Sequence, residues 1–271
     1  MSLQHSTRPV RIVRFDGEAA PVATDDSLAV EEPLEIRVGG RSVAVVMRTP
    51  GHDRELAAGF LVTEGLLHRP EQVLDMVYCR GDDAAPEPNV LDVILAPGAT
   101  VDLARLSRHV FTSSSCGICS KASIDAIRQQ FPAVEPGRPP RRDVLTALPD
   151  RLRAAQAAFA QTGGLHASAL FTAAGELVEV REDVGRHNAL DKVIGRAFLD
   201  GRLPLADHVL LVSGRVSFEI MQKALAGGIP WVVAISAPTS AAVEFARASG
   251  QGLVGFLRGT RMNVYAGTLA G

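Results

Sequence analysis

The first hundred residues alternate short runs of β-branched side chains with turn signals. Two such runs flank Gly39-Gly40, which is the spacing typical of a β-hairpin. Apolar residues then recur at helical intervals, and two more strand-like runs follow. This half of the chain is predicted to be α+β. The predicted elements are strands at 34–38 and 43–47, a helix at 52–67, and strands at 74–79 and 90–95.

A stretch rich in proline and arginine, at 131–142, separates this half from the next. It has no hydrophobic period, so we predict a linker or a long surface loop. Beyond it, the apolar positions from Leu148 to Phe159 form the stripe of an amphipathic helix. Pro149 is predicted in the first turn of this helix, and Gly163-Gly164 at its end.

The last hundred residues alternate strands and helices regularly. Their near-continuous apolar strands are typical of a parallel sheet covered on both faces, so the predicted fold class is α/β with a mixed sheet. The predicted elements are strands at 166–172 and 177–181, a helix at 185–199, a strand at 209–212, a helix at 217–226, a strand at 231–235, a helix at 240–248 and a strand at 253–257.

Composition adds limits on location and partners. The net charge of −2 favours neither nucleic acid nor a membrane surface as partner, so an anion site has to be local. No apolar run approaches the roughly 20 residues of a spanning helix, and the amino terminus lacks a signal-like core, so we predict a cytoplasmic protein.

The predicted regions are a small β-rich region with one helix at 1–100, a segment with the CGIC loop, a helix and the linker at 101–145, and an α/β domain at 146–271.

The residues after the late strands are suited to binding phosphate. In parallel sheets, ligands bind beyond the carboxyl ends of the strands. Those ends are rich in small hydrogen-bond donors, glycine and arginine, the groups that cradle phosphate at helix starts. They are Ser213, Gly214 and Arg215, residues 236–240, and Arg258, Gly259, Thr260 and Arg261.

Two cysteines three residues apart, Cys116 and Cys119, follow a run of serines and precede a helix-like stretch with Lys121. A thiolate near a helix amino terminus and a lysine has its pKa lowered from about 8.5, which makes it a nucleophile. The chain has three cysteines in all. This number is odd and small for the length of the chain, which argues against a secreted disulfide framework. Cys79, in a strand-like run, is predicted to be a small buried hydrophobe.

Several interpretations of the CxxC pair stay open on the residues alone. A structural zinc site lacks a second ligand pair at metal spacing, so we predict no metal of the protein's own. A redox dithiol is the second interpretation, although the expected strand-to-helix setting is absent. Carriage of a persulfide needs only one reactive thiolate on an exposed loop. Two inert buried cysteines are poorly suited to so polar a segment.

The segment 182–192 packs histidine, arginine, asparagine, aspartate and lysine closely together. Its acidic pair, Glu182 and Asp183, is suited to capping the next helix, and His187 and Asp191 share a helix face. Capping with a surface ion pair is the plain interpretation. The density of polar residues favours a functional one, with His187 as a candidate binding residue. His166 alone is more often an interior histidine than a ligand.

Five longer motifs together resemble the FdhD/NarQ family: SSSCGICSKASID, GLHASALF, EDVGRHNALDKVIG, SGRVSFEIMQKALAGGIPWVVAISAPTSAAVEFA and LVGFLRGTRMNVY. The resemblance implies a cytidine-deaminase-like three-layer α/β domain and a homodimer. GLHAS looks like a deaminase HxE that lacks its glutamate, so zinc deamination is not supported.

The same resemblance implies an activity. A sulfurtransferase of this family takes sulfur from a cysteine desulfurase as a persulfide, here on Cys116. It passes the sulfur to the bis-molybdopterin guanine dinucleotide cofactor of formate dehydrogenase apoprotein, with GDP as a partial mimic of that cofactor. The residues implied in cofactor binding are Phe256, Leu257, Arg258, Gly259, Thr260 and Arg261.

Overall fold

The computed structural model describes residues 6–80, 86–103, 131–135 and 137–271. Cys116 and Cys119, the predicted reactive cysteines, lie outside these residues. The predicted region boundaries near residues 100 and 145 stay predictions. None of the helices in the described ranges is both long and apolar enough to cross a membrane.

The described elements form a two-stranded ribbon, a four-stranded sheet and a six-stranded sheet with helices packed around them. The strands are β1 (Thr7–Arg14), β2 (Val22–Ala29), β3 (Glu32–Val38), β4 (Arg41–Arg48), β5 (Val73–Arg80), β6 (Pro86–Leu95), β7 (His166–Thr172), β8 (Leu177–Asp183), β9 (His208–Val212), β10 (Trp231–Ala234), β11 (Gly252–Arg258) and β12 (Arg261–Ala266). The helices are α1 (Asp53–Thr63), α2 (Arg142–Ala155), α3 (Ala157–Thr162), α4 (Arg186–Leu199), α5 (Phe218–Ala226) and α6 (Ser240–Ser249), with a 3-10 turn at Pro70–Gln72.

The predicted hairpin around Gly39-Gly40 is confirmed, because β3 and β4 pair antiparallel across it. Both glycines have positive φ, 56° and 78°, as the tight turn between two twisted strands requires. The sheet order is β4-β3-β6-β5, with β3 and β6 parallel. Its inner face, which includes Leu34 and Leu91, belongs to the same buried cluster as α1.

The predicted α/β architecture with a mixed sheet is also confirmed. The six strands run in the order β12-β11-β10-β9-β7-β8, with β9, β10 and β11 parallel and the flanking pairs antiparallel. Alternate residues of one strand enter different cores: Leu170 belongs to the larger apolar cluster, whereas Ala169 and Phe171 belong to the smaller one. The sheet is therefore covered on both faces.

The predicted helix over 148–159 was wrong in two details. The helix begins at Arg142, so Pro149 lies in its interior and not in its first turn. It also breaks at Gln156, which has non-helical backbone angles and separates α2 from α3. The apolar stripe continues across this break, so hydrophobic spacing alone could not reveal it. Gly163 ends α3 with φ of 64°, as predicted.

Two glycines let α1 and α4 cross with their backbones almost in contact. A Cβ atom on Gly59 would lie 1.8 Å from the carbonyl oxygen of Asp191, and one on Gly195 would lie 1.8 Å from that of Glu55. No side chain fits at such a distance. This crossing joins the four-stranded sheet to the six-stranded sheet and sets the position of the amino terminus of α4.

Buried ion pairs add to the same junction. Asp191 accepts hydrogen bonds from Lys223 Nζ, at 2.9 Å, and from Thr63 Oγ1, at 3.0 Å. Glu55 accepts one from Arg181 at 2.9 Å and lies 3.2 Å from His52 Nδ1. Burial alone would raise the pKa of Glu55, but the bonds with His52 and Arg181 outweigh it and lower the pKa to about 2.

Candidate functional site

The carboxyl ends of β9, β10 and β11 meet at one edge of the six-stranded sheet because these strands are parallel. Ser213, directly after β9, is fixed there by two hydrogen bonds with Ala167. Its amide donates to the Ala167 carbonyl and its Oγ accepts from the Ala167 amide, each at 2.9 Å. The start of β7, with His166, therefore lies at the same edge.

Asp183, the last residue of β8, positions the start of α4 beside His166. The carboxylate is fully buried, accepts three hydrogen bonds and forms one ion pair. The donors are the amides of Thr49 at 3.1 Å and Gly185 at 2.8 Å and Asn188 Nδ2 at 2.9 Å, and the ion pair is with Lys192 Nζ at 2.6 Å. This aspartate therefore fixes the turn that precedes Arg186 and His187.

The plain interpretation of segment 182–192 is corrected in its details. Glu182 caps α3 and not α4, since it accepts from the amides of Ala158 and Phe159 at 3.0 and 2.7 Å. Asp191 pairs with Lys223 and not with His187, and the pair is buried. Glu182 and Asp191 thus bind other parts of the chain, whereas Arg186 and His187 lie at the edge of the sheet.

His187 bridges the starts of α4 and α5. Its Nε2 lies 2.9 Å from Glu219 Oε2 and 3.4 Å from Ser217 Oγ. The hydrogen bond with His187 holds the pKa of Glu219 below its usual value. His187 therefore orients a carboxylate of α5 at the edge where a ligand is predicted.

His166 is partly buried between Gly214 and Arg186. A Cβ atom on Gly214 would lie 3.2 Å from His166 Nδ1 and 3.6 Å from Arg186 Cβ, so the glycine lets these side chains approach the strand end. Burial lowers the pKa of His166, and the nearby Arg186 and His187 lower it further, while Asp183 opposes the shift. The neutral imidazole is therefore favoured at neutral pH.

The second part of the edge is an open groove of about 750 Å³ beside the β11–β12 hairpin. The hairpin turn depends on Gly259, which has φ of 56°, and β12 itself was not predicted because its exposed polar residues interrupt any apolar run. The side chain of Leu257 is buried in the smaller core cluster, so only its main chain is available to a ligand. The groove is lined by Arg142, Phe256, Arg258, Thr260, Arg261, Met262 and Asn263.

The two parts of the edge are close enough to serve one extended ligand. Strands β9 and β11 are separated by β10 alone, so they lie about 10 Å apart at the usual strand spacing. Ser213 and Gly214 stand on the first, Arg258 on the second, and Arg215 is exposed beside them. An anion with several phosphates is the ligand that such an edge is suited to hold.

Within the described ranges, no group of three or more histidine, cysteine, aspartate or glutamate side chains is placed to hold a metal ion. Cys116 and Cys119 lie outside these ranges. Cys79, which was predicted to be buried, is a free cysteine in β5 and is only partly buried. The predicted roles of the cysteines and the predicted lack of a metal stay predictions.

Comparison with known proteins decides the family. The profile of the FdhD/NarQ family matches residues 29–269. The chain belongs to the FdhD/NarQ family. Among its FdhD relatives, the sulfur carrier protein FdhD of Streptomyces avermitilis is 56% identical over 247 residues, which are 89% of this chain and 88% of the relative. The protein of that name from Mycobacterium tuberculosis is 54% identical, over 94% of this chain and 95% of the relative.

A solved structure shares the fold of this FdhD/NarQ chain. It is the crystal structure of a candidate formate dehydrogenase accessory protein from Desulfotalea psychrophila, with a TM-score of 0.76 and 21% sequence identity. The match covers 97% of each chain. The order of strands and helices is thus shared along nearly the whole length.

Sequence reasoning missed two arginines that the fold places at this edge. Arg142 was assigned to the linker, yet it is the first residue of α2 and lines the groove. Arg186 was in the dense polar segment but was not selected as a binding residue. Its position three residues after Asp183, the last residue of β8, was the available signal, since strand ends in such sheets form ligand sites.

Proposed function

We propose that this chain is a sulfur carrier for the maturation of formate dehydrogenase. Cys116 accepts sulfur from a cysteine desulfurase as a persulfide and delivers it to the bis-molybdopterin guanine dinucleotide cofactor. The cofactor is the substrate of this step and not a resident group. The reaction is then that of a sulfurtransferase, with Cys119 as the neighbouring thiol.

The observation that supports this function most strongly is the similarity to relatives named sulfur carrier protein FdhD. It extends over about nine tenths of both chains at more than half identity. Similarity over so much of the chain supports a shared activity more strongly than a CxxC pair alone, which is also compatible with redox and metal sites. The solved protein that shares the fold is itself named as a candidate formate dehydrogenase accessory protein.

The geometry of the sheet edge is suited to binding this substrate. A dinucleotide cofactor carries phosphates, and the groove offers Arg142, Arg258 and Arg261 for charge-assisted hydrogen bonds. Phe256 adds an apolar surface that is 40% exposed, suited to stacking against a planar ring. GDP, with the same base and phosphates, is the simplest probe of this groove.

Three further features belong to the same proposal. The six-stranded sheet with helices on both faces is consistent with a cytidine-deaminase-like domain. A homodimer is expected, as the family resemblance implies. The reaction is placed in the cytoplasm, where thiols stay reduced.

Complementation tests the function. In a bacterium that lacks its own sulfur carrier for formate dehydrogenase, this chain should restore formate oxidation, and Cys116→Ala should abolish the restored activity. Cys79→Ala is the matched control, since Cys79 lies in β5 and has no role in the proposal. Full activity of Cys116→Ala, at equal protein level, would contradict the proposed sulfur transfer.

A further inference from the structure

Arg186 is exceptional among the arginines that this fold buries. The structure describes four other partly or fully buried arginines, and each of them pairs with a carboxylate. These pairs are Arg37 with Glu35, Arg48 with Asp53, Arg181 with Glu55 and Arg202 with Asp200. No described carboxylate lies within ion-pair distance of Arg186, and its buried Nε, like that of Arg202, has no hydrogen-bond partner.

The carboxylates near Arg186 already have other partners. Asp183 is bound to Lys192 Nζ at 2.6 Å, and Glu219 to His187 at 2.9 Å. Arg186 interacts with the Glu219 carboxylate at longer range and lowers its pKa, but the close contacts of both carboxylates are with other side chains. A partly buried guanidinium costs free energy unless a partner compensates it, so Arg186 is suited to bind an anion.

The surroundings of Arg186 supply further donors. The N-cap residues of α4 and α5, Gly185 and Ser217, make no side-chain hydrogen bond to the first turn, whereas Thr239 caps α6 by accepting from the amide of Ala242. The first-turn amides of two helices are thus available at the corner, with their positive dipole ends. The half-buried imidazole of His166 lies beside them, and Gly214 leaves the approach open.

We propose that Arg186 and His166, with the first turns of α4 and α5, bind a phosphoryl group at a subsite separate from the arginine groove. The two share no lining residue. The proposal rests on the proposed function for its ligand, a cofactor with phosphates at more than one position. The arginine fork matches the tetrahedral oxyanion, and uncapped helix starts donate to its remaining oxygens.

Inorganic phosphate is the probe, and the ring signals of His166 in NMR are the readout, assigned with His166→Gln. Phosphate should raise the pKa of His166, because a nearby anion favours the charged imidazole. Arg186→Gln should weaken this binding by about ten- to hundredfold, the range for a lost hydrogen bond to a charged group. Arg186→Lys should bind with intermediate affinity, since it keeps the charge without the fork.

Arg202→Gln is the matched control, because Arg202 is also partly buried but already paired with Asp200 at 3.1 Å. Phosphate binding to this variant, and to the double variant Arg258→Ala with Arg261→Ala, should be unchanged at His166. Melting temperatures establish that each variant folds. A phosphate effect on His166 that persists unweakened in Arg186→Gln, or no effect in the parent protein, would overturn the subsite.

The test also separates this inference from the proposed function. Phosphate binding at His166 does not require Cys116, and persulfide on Cys116 does not require phosphate. A persulfide without the phosphate effect removes the subsite and leaves the sulfur carrier. A phosphate effect without any persulfide keeps the subsite and removes the proposed reaction.

Discussion

Replacement of Asp183 by asparagine tests how the core positions the candidate site. The carboxylate is fully buried and bound to Lys192, whose side chain is itself only 1% exposed. Asparagine keeps one oxygen for the Gly185 amide but removes the negative charge. Lys192 is then left as a buried cation without its counter-charge.

The expected cost follows from the loss of one partner of a buried pair. Such changes destabilise a protein by about 3–5 kcal/mol, and we expect about 3 kcal/mol here because one hydrogen-bonding oxygen remains. Lys192→Met alone leaves the carboxylate uncompensated and should cost a similar amount. The double variant removes both charges, so it should be more stable than either single variant by about 1 kcal/mol or more.

Urea denaturation followed by tryptophan fluorescence measures these differences. The chain has one tryptophan, and Trp231 is 3% exposed in the folded state, so unfolding should change its emission strongly. The midpoint and slope give the free energy of unfolding of each variant. A cost below about 1 kcal/mol for Asp183→Asn, or a double variant that costs the sum of the singles, would refute the reasoning.

Three other changes test the junction and the groove. The pKa of Glu55 is about 2 in the folded protein and its usual value is 4.5, so its contribution to the free energy of unfolding should be complete above pH 4.5 and be lost as the pH falls toward 2. Glu55→Gln should flatten this pH dependence in acid denaturation, and an unchanged dependence of the free energy of unfolding on pH would contradict the prediction. Gly59→Ala should destabilise by about 3 kcal/mol or more through the helix crossing. Gly164→Ala should shift the urea midpoint little, because its Cβ would make only ordinary van der Waals contacts, the nearest 3.6 Å from Ala29 Cβ; equal effects would contradict the close crossing. GDP binding in calorimetry should weaken with added salt and in the double variant Arg258→Ala with Arg261→Ala, and unchanged binding would place the phosphates elsewhere.

Much of the fold followed from local pattern. The hairpin at Gly39-Gly40 and the three parallel strands β9, β10 and β11 were predicted because their side-chain spacing and turn residues act locally. The break at Gln156 could not be predicted, since apolar spacing continues through it. The contact between Gly59 and α4 is set by tertiary packing, which no local pattern expresses.

The site was predictable in its location but not in its partners. The small and basic residues after β9 and β11 indicated the sheet edge before the structure did. The predicted ion pair between His187 and Asp191 was wrong. Helical spacing brings the two residues near each other, but each has a closer partner in α5: Glu219 for His187 and Lys223 for Asp191. Distances across elements decided these pairs.

Mass spectrometry of the purified protein tests the central claim, sulfur carriage on Cys116, most directly. The peptide with Cys116 and Cys119 should carry an added mass of about 32 Da, one sulfur atom, after incubation with a cysteine desulfurase and cysteine. The adduct should be absent in Cys116→Ala and present in Cys119→Ala, because a persulfide carrier needs only the acceptor thiol, whereas a redox dithiol needs both. Loss of the adduct in both variants, with a reversible disulfide between the two cysteines dominant in the parent protein, would contradict sulfur carriage and favour disulfide exchange.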